Sequence, residues 1–264
     1  MAGLNTGGQR FAGDDGAADP HLAAVLAAYG SGRGSEQAAL AALAGARLLV
    51  PLVERPAGDG DDPDEGAHEA HAAHDEGCDH QAAREMAFPT LIGRDGRPAL
   101  LAFTSLAALL AWRPDARPLP SPAEQVWGTA LAGPSAVVID VAGPVPVAVD
   151  GTRLAALAAG EPPPAPHDDP DIRAEVAAAL ADIGGRTSTM VAGASLAPGP
   201  DGTDLAVNLL INSWAVTTPG LQAGVQQAAE AIAARLASRL RRGIQFSATQ
   251  APAPAPAPRA RARG

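Results

Sequence analysis

His68, His71, His74, Cys78 and His80 place four of the chain's six histidines and its only cysteine within thirteen residues. Imidazole and thiolate favour borderline metals, so the set suits zinc or nickel better than a hard cation. On a helix, His71, His74 and Cys78 would share one face at spacings of three and four. The surrounding Ala, Asp and Glu offer no aliphatic cover and no second layer of partners to orient the rings. Two readings stand side by side here: a zinc or nickel site, and a solvated loop that holds no cofactor.

Outside that stretch the polar residues gather at turns. Arg94-Asp95-Gly96-Arg97 can be read as an anion-binding nest or as the tip of a hairpin. Trp112 followed at once by Arg113 is the other candidate contact, so Arg94, Arg97, Trp112 and Arg113 form the expected ligand or partner surface. Trp127 and Trp214 read as anchors in an alanine-rich interior. Ser195 in Gly193-Ala194-Ser195-Leu196-Ala197 lacks the second glycine of a nucleophile elbow and falls inside a predicted strand, which argues against a hydrolase. All 19 basic residues are arginine, so a Walker motif, which requires lysine, is excluded. No acid, base and nucleophile set emerges, and the chain reads as a non-enzyme.

The elements that would position these residues follow from local pattern. Asp19-Pro20 and Ser35 begin two short helices, and residues 47–53 form an aliphatic strand whose proline is expected at an edge or bulge. Residues 87–92 and 98–103 form a hairpin around an Asp-Gly turn. Helices carrying Leu106, Leu109 and Trp112, then Val126, Trp127 and Leu131, precede strands at 136–141 and 145–149 and a helix at 151–159. A helix at 171–183, strands at 188–196 and 204–211, a long helix at 219–242 and a strand at 244–247 follow. Arg235, Arg239, Arg241 and Arg242 cluster near the end of the long helix, where they complement its dipole.

Composition divides the chain further. Residues 1–19 are Gly-rich and polar, residues 56–83 carry nine acidic side chains from Asp59 to Asp79, and residues 250–264 are an Ala-Pro run ending in arginines. All three read as disordered. That leaves a domain at 20–160 containing the acidic insertion, a Pro-rich linker at 161–170 and a C-terminal α+β unit at 171–249. A net charge of −10 argues against nucleic acid, and the lack of a long apolar run argues against a membrane span. One cysteine rules out an internal disulfide, and the first residues show no secretory pattern, so cytoplasmic location is the expectation.

Arg47-Leu48-Leu49-Val50-Pro51-Leu52, Met86-Ala87-Phe88-Pro89-Thr90-Leu91 and the run from Asp95 to Ser105 are the most distinctive segments. With Trp112-Arg113-Pro114 and Ala142-Gly143-Pro144, they resemble the N-terminal domain of the SseB family in its actinobacterial form, over roughly residues 35–160. The second half resembles the C-terminal region that often follows in that family. The resemblance implies no catalytic residues to carry over, and the acidic His-bearing insertion departs from it.

The reading is an α+β protein of two small mixed-sheet units, each covered by helices. Its expected role is a non-catalytic cytoplasmic interaction or regulatory module, acting on a protein partner or by self-association. The alternatives are metal binding through residues 68–80 and an enzyme of unrecognised type.

Overall fold

The computed structural model describes residues 11, 13–56, 84–93, 96–200 and 202–252. The chain is α+β and forms two compact units. Of the described residues, those within 1–19 and 46–150 belong to the first and those within 20–45 and 151–252 to the second.

In the first unit β1 (Arg47–Pro56) is the central strand of an antiparallel sheet, flanked by β2 (Arg84–Ala87) and β5 (Arg117–Pro122). Pro51, expected at an edge or a bulge, sits opposite Pro118. Two residues without N–H groups can only be a non-hydrogen-bonded pair, and β2 joins β1 from Val53 onward, so the ladder needs no donor at Pro51. Strand β5 was not expected, because its three prolines read as a break. Paired to one neighbour only among the described residues, it is an edge strand, where proline is tolerated.

A second sheet has the order β3 (Thr90–Ile92), β4 (Pro98–Ala102), β6 (Ala136–Ile139), β7 (Val147–Asp150). The expected hairpin is present in the register Thr90 to Leu100, and β4 and β6 run parallel. Helix α3 (Leu106–Trp112) is capped by the Ser105 hydroxyl, and α4 (Ala123–Ala132) buries Val126 and Trp127. Leu49, Val53, Leu101, Phe103, Leu109 and Ala116 form a core, with Leu49 and Phe103 exchanging backbone hydrogen bonds.

Asp140 closes β6 with φ 49°, a left-handed conformation that Asp and Asn tolerate through local hydrogen bonding. Its buried carboxylate accepts the Thr104 N–H at 2.8 Å and the Thr104 hydroxyl at 2.6 Å, tying together the ends of the parallel pair β4 and β6. Burial raises the Asp140 carboxyl above its ordinary range, and the Thr104 bonds only partly offset this.

Residues 13–19, read as part of a disordered arm, are ordered against this unit. Arg47 pairs with Asp14 at 2.8 Å and donates to the Ala17 carbonyl at 2.5 Å. The Gly16 carbonyl accepts the Leu106 N–H, a donor at the start of α3 that has no partner within the helix. Few apolar residues are needed where one arginine and a helix start supply the partners.

The second unit holds α1 (Pro20–Gly30), α2 (Glu36–Ala44), α5 (Gly151–Ala158), α6 (Pro170–Asp182), α7 (Arg186–Met190) and α8 (Leu221–Leu236). Its mixed sheet has the order β10 (Ile244–Gln250), β9 (Leu205–Ile211), β8 (Val191–Pro198), with β9 antiparallel to β8 and parallel to β10. Leu205, Val207, Leu209 and Ile211 alternate inward along β9 and pack with Ile172 and Val176 of α6 and Ala228, Ile232 and Leu236 of α8. Each such Leu or Ile stabilises the fold by about 1.5–3 kcal/mol. On the other face of β9, Asn208 lies 2.9 Å from Thr249, 3.1 Å from Ser247 and 3.5 Å from Ser195, a polar row across all three strands.

Four expectations shift here. The expected strand at 188–196 starts at Val191, because residues 186–190 form α7 and Thr187 donates to Gln227 on α8 at 2.8 Å. The expected long helix stops at Leu236, and the turn that follows aims Arg239 inward. The proline-rich 161–170 segment is packed: Pro163 is buried, its carbonyl accepts the Gln37 amide at 2.8 Å, and Asp169 is 0% exposed. Helices α1, α2 and α5, read as part of a 20–160 domain, fold with the C-terminal residues.

Candidate functional site

Helix α6 begins with a strong local signal. Asp169 is its N-cap, accepting the Asp171 N–H at 2.8 Å, and Pro170 occupies the first turn. Along α6 the residues Arg173, Val176, Ala177 and Leu180 recur at the spacing of one helical face. The acidic residues Glu175 and Asp182 point elsewhere and both pair with Arg235 of α8.

That face of α6 and residues 192–196 of β8 line a groove of about 480 Å³. Among the described residues strand β8 pairs only with β9 and so presents a sheet edge. Its eight residues carry no charge. Arg173 is exposed and makes no ion pair among the described residues, which leaves the groove with one cation, one serine and an otherwise apolar wall.

Beneath the start of α6 lies a buried ionic cluster that fixes where the helix begins. Arg239 reaches the Asp169 carboxylate at 2.6 Å and Glu36 at 3.1 Å, and Arg153 meets Glu36 at 2.5 Å. The Thr152 hydroxyl lies 2.8 Å from both Asp169 and Asp171, and its N–H donates to Asp171. Two carboxylates and two guanidiniums thus balance in the interior, the condition under which buried charge is tolerated. Burial alone would raise the Asp169 carboxyl, but the bonds and charge of Arg239, with Thr152 and the Asp171 N–H, hold it below its ordinary range.

The residues expected to carry function are placed differently. Arg97 pairs with Asp150 at 3.2 Å and Arg113 with Asp115 at 3.0 Å. Trp112 is half-buried, its ring 5.5 Å from that of Phe103 in the core of the first unit. Arg94 lies outside the described residues, as do His68, His71, His74, Cys78 and His80. Among the described residues no group of three or more His, Cys, Asp or Glu is arranged to hold a metal ion, and no helix is long and apolar enough to cross a membrane. Arg239, read as a complement to a helix dipole, is instead the hub of the ionic cluster.

The sequence reading missed Arg173 and the α6 face. Their signals were available in the spacing 173, 176, 177 and 180 and in the uncharged run of β8. What was not visible is that the two elements stand side by side.

The SseB protein N-terminal domain matches residues 22–156, just over half of the chain. The chain belongs to the SseB family. No curated protein and no solved structure matches it. In this SseB-family protein the matched segment contributes α1, α2 and the first part of α5 to the second unit, so Glu36 and Arg153 of the ionic cluster are family-domain residues. Arg239 and Asp169 lie beyond the match, as does the groove itself.

Proposed function

We propose that this SseB-family protein is a non-catalytic cytoplasmic interaction module and that it docks a protein partner in the groove between α6 and β8. The observation that carries the reading is the uncharged β8 edge beside the unpaired Arg173. Natural sheet edges are usually blunted by charge or covered, and an edge left open beside an apolar helix face is a surface suited to a partner. The groove side chains are one arginine, one serine and aliphatic residues, a set for binding rather than for proton transfer.

Ala177 is exposed on the groove face of α6, so Ala177→Tyr fills the groove without altering the sheet. Proteins retained from native-host lysate by the wild-type chain should be lost with Ala177→Tyr, while thermal unfolding stays unchanged. Retention of the same proteins by the variant, or of none by either chain, would place the function elsewhere.

A further inference from the structure

We infer that the groove works by strand addition: an extended segment of a partner protein pairs with the free edge of β8 and sets an acidic side chain against Arg173. The inference rests on the reading of the groove as the docking surface and specifies its occupant.

The backbone supplies the first part of the argument. With β9 on one side only, alternate residues of β8 turn their N–H and C=O groups to an edge that pairs with no other strand among the described residues. The single register irregularity falls between Val191 and Gly193 and the one proline of β8 is its last residue, so between them lies a regular stretch that a partner strand can follow. Gly193, Ala194 and Ser195 are small enough for another backbone to approach closely. Val176, Ala177 and Leu180 then form the wall on which alternate side chains of the added strand would rest.

Charge selects the occupant. Arg173 is the one charged residue of the groove, and the neighbouring carboxylates Glu175 and Asp182 are engaged by Arg235. A carboxylate is therefore the complementary group. A chain-terminal carboxylate would need backbone donors beside the arginine, yet the Asp171 and Arg173 N–H groups at the start of α6 already donate to Asp169. The acid belongs to a side chain within a continuous segment. A second copy of this protein, paired through its own β8, would bring no acidic residue, because that strand has none.

The test uses the full chain and end-blocked, fluorescent peptides of the length of β8, alternating valine and threonine with one central Asp, Asn or Lys. The Asp peptide should bind and slow hydrogen exchange at the β8 amides. Replacing Asp by Asn, or Arg173 by Ala, should weaken binding roughly two- to fivefold, the range of an exposed ion pair. Arg173→Glu should reverse the preference toward the Lys peptide. Equal binding of all three peptides to wild type and Arg173→Glu would overturn the acidic occupant. Slowed exchange anywhere but β8, or no binding, would overturn strand addition, and concentration-dependent protection of β8 without peptide would make a second copy the occupant. These failures are distinct from that of the docking reading, which falls if Ala177→Tyr leaves partner retention intact or if neither chain retains a partner.

Discussion

The guanidinium of Arg239 grips both oxygens of the Glu36 carboxylate, at 3.1 and 3.2 Å, across 203 residues of sequence. Glu36 stands in the first turn of α2, where a carboxylate also meets the positive end of the helix dipole. The same arginine holds Asp169 at the start of α6. One side chain after α8 thereby fixes the beginnings of two helices, including the helix that walls the groove.

Arg239→Met preserves most of the side-chain volume but leaves Glu36 and Asp169 with a single cation between them. Urea denaturation at neutral pH should show a loss of about 3–5 kcal/mol, the range for removing one partner of a buried pair. The pH dependence has a definite sign. Asp169 has a folded-state pKa below its unfolded value, so its contribution is present above the ordinary carboxylate range and is lost as pH falls through the depressed value. The difference between wild type and variant should therefore shrink on acidification; a constant difference would show that Asp169 is not held by Arg239.

Asp140 carries the opposite sign. Its folded-state pKa is raised, so ionisation opposes folding; the penalty is absent at low pH, grows as pH rises through the carboxylate range and is complete above the raised value. Asn can accept the Thr104 N–H, donate to its hydroxyl and keep the left-handed backbone. Asp140→Asn should raise stability at neutral pH by about 0.5–1 kcal/mol, the size of one net hydrogen-bond contribution. In melting curves the gain should vanish in acid.

A chain ending at residue 160 retains the whole family-matched segment but lacks Arg239, Asp169 and the Ser238 and Arg239 carbonyls that accept the Tyr29 hydroxyl at 3.0 and 3.1 Å. Without them Glu36 keeps Arg153 but loses Arg239, and the Tyr29 hydroxyl of α1 loses both of these acceptors. Hydrogen exchange should show residues 20–45 unprotected in this fragment while β4 and β6 of the first unit stay protected. Native-like protection of residues 20–45 would show that the matched segment folds alone.

The three tryptophans report on separate environments. Trp127 is fully buried, Trp112 is half-buried and Trp214 is 52% exposed. Trp214→Phe should remove most of the iodide-quenchable fluorescence and leave a blue-shifted remainder. Substituting Trp127 instead should leave quenching nearly unchanged and destabilise the fold, by about 3–5 kcal/mol if it is replaced by Ala.

Local signals carried a large part of the fold. The hairpin at 87–92 and 98–103, the helix start at Ser35 and the strand at 204–211 each depend on residues within a few positions of one another, and each is present. Strand β5 and helix α7 were misread because tertiary partners override propensity: β5 takes its register from β1, and α7 is pinned through Thr187 to α8.

The sequence by itself determined the α+β class, the family resemblance and most element positions, because composition, periodicity and capping act over short spans of chain. Only the tertiary structure decided that Glu36, Arg153, Asp169 and Arg239 form one ionic cluster, that α1 and α2 fold with the C-terminal residues, and that Arg173 stands beside an open sheet edge. Those relations join residues tens to hundreds of positions apart, and a buried charge reveals its partner only when the chain has folded around both.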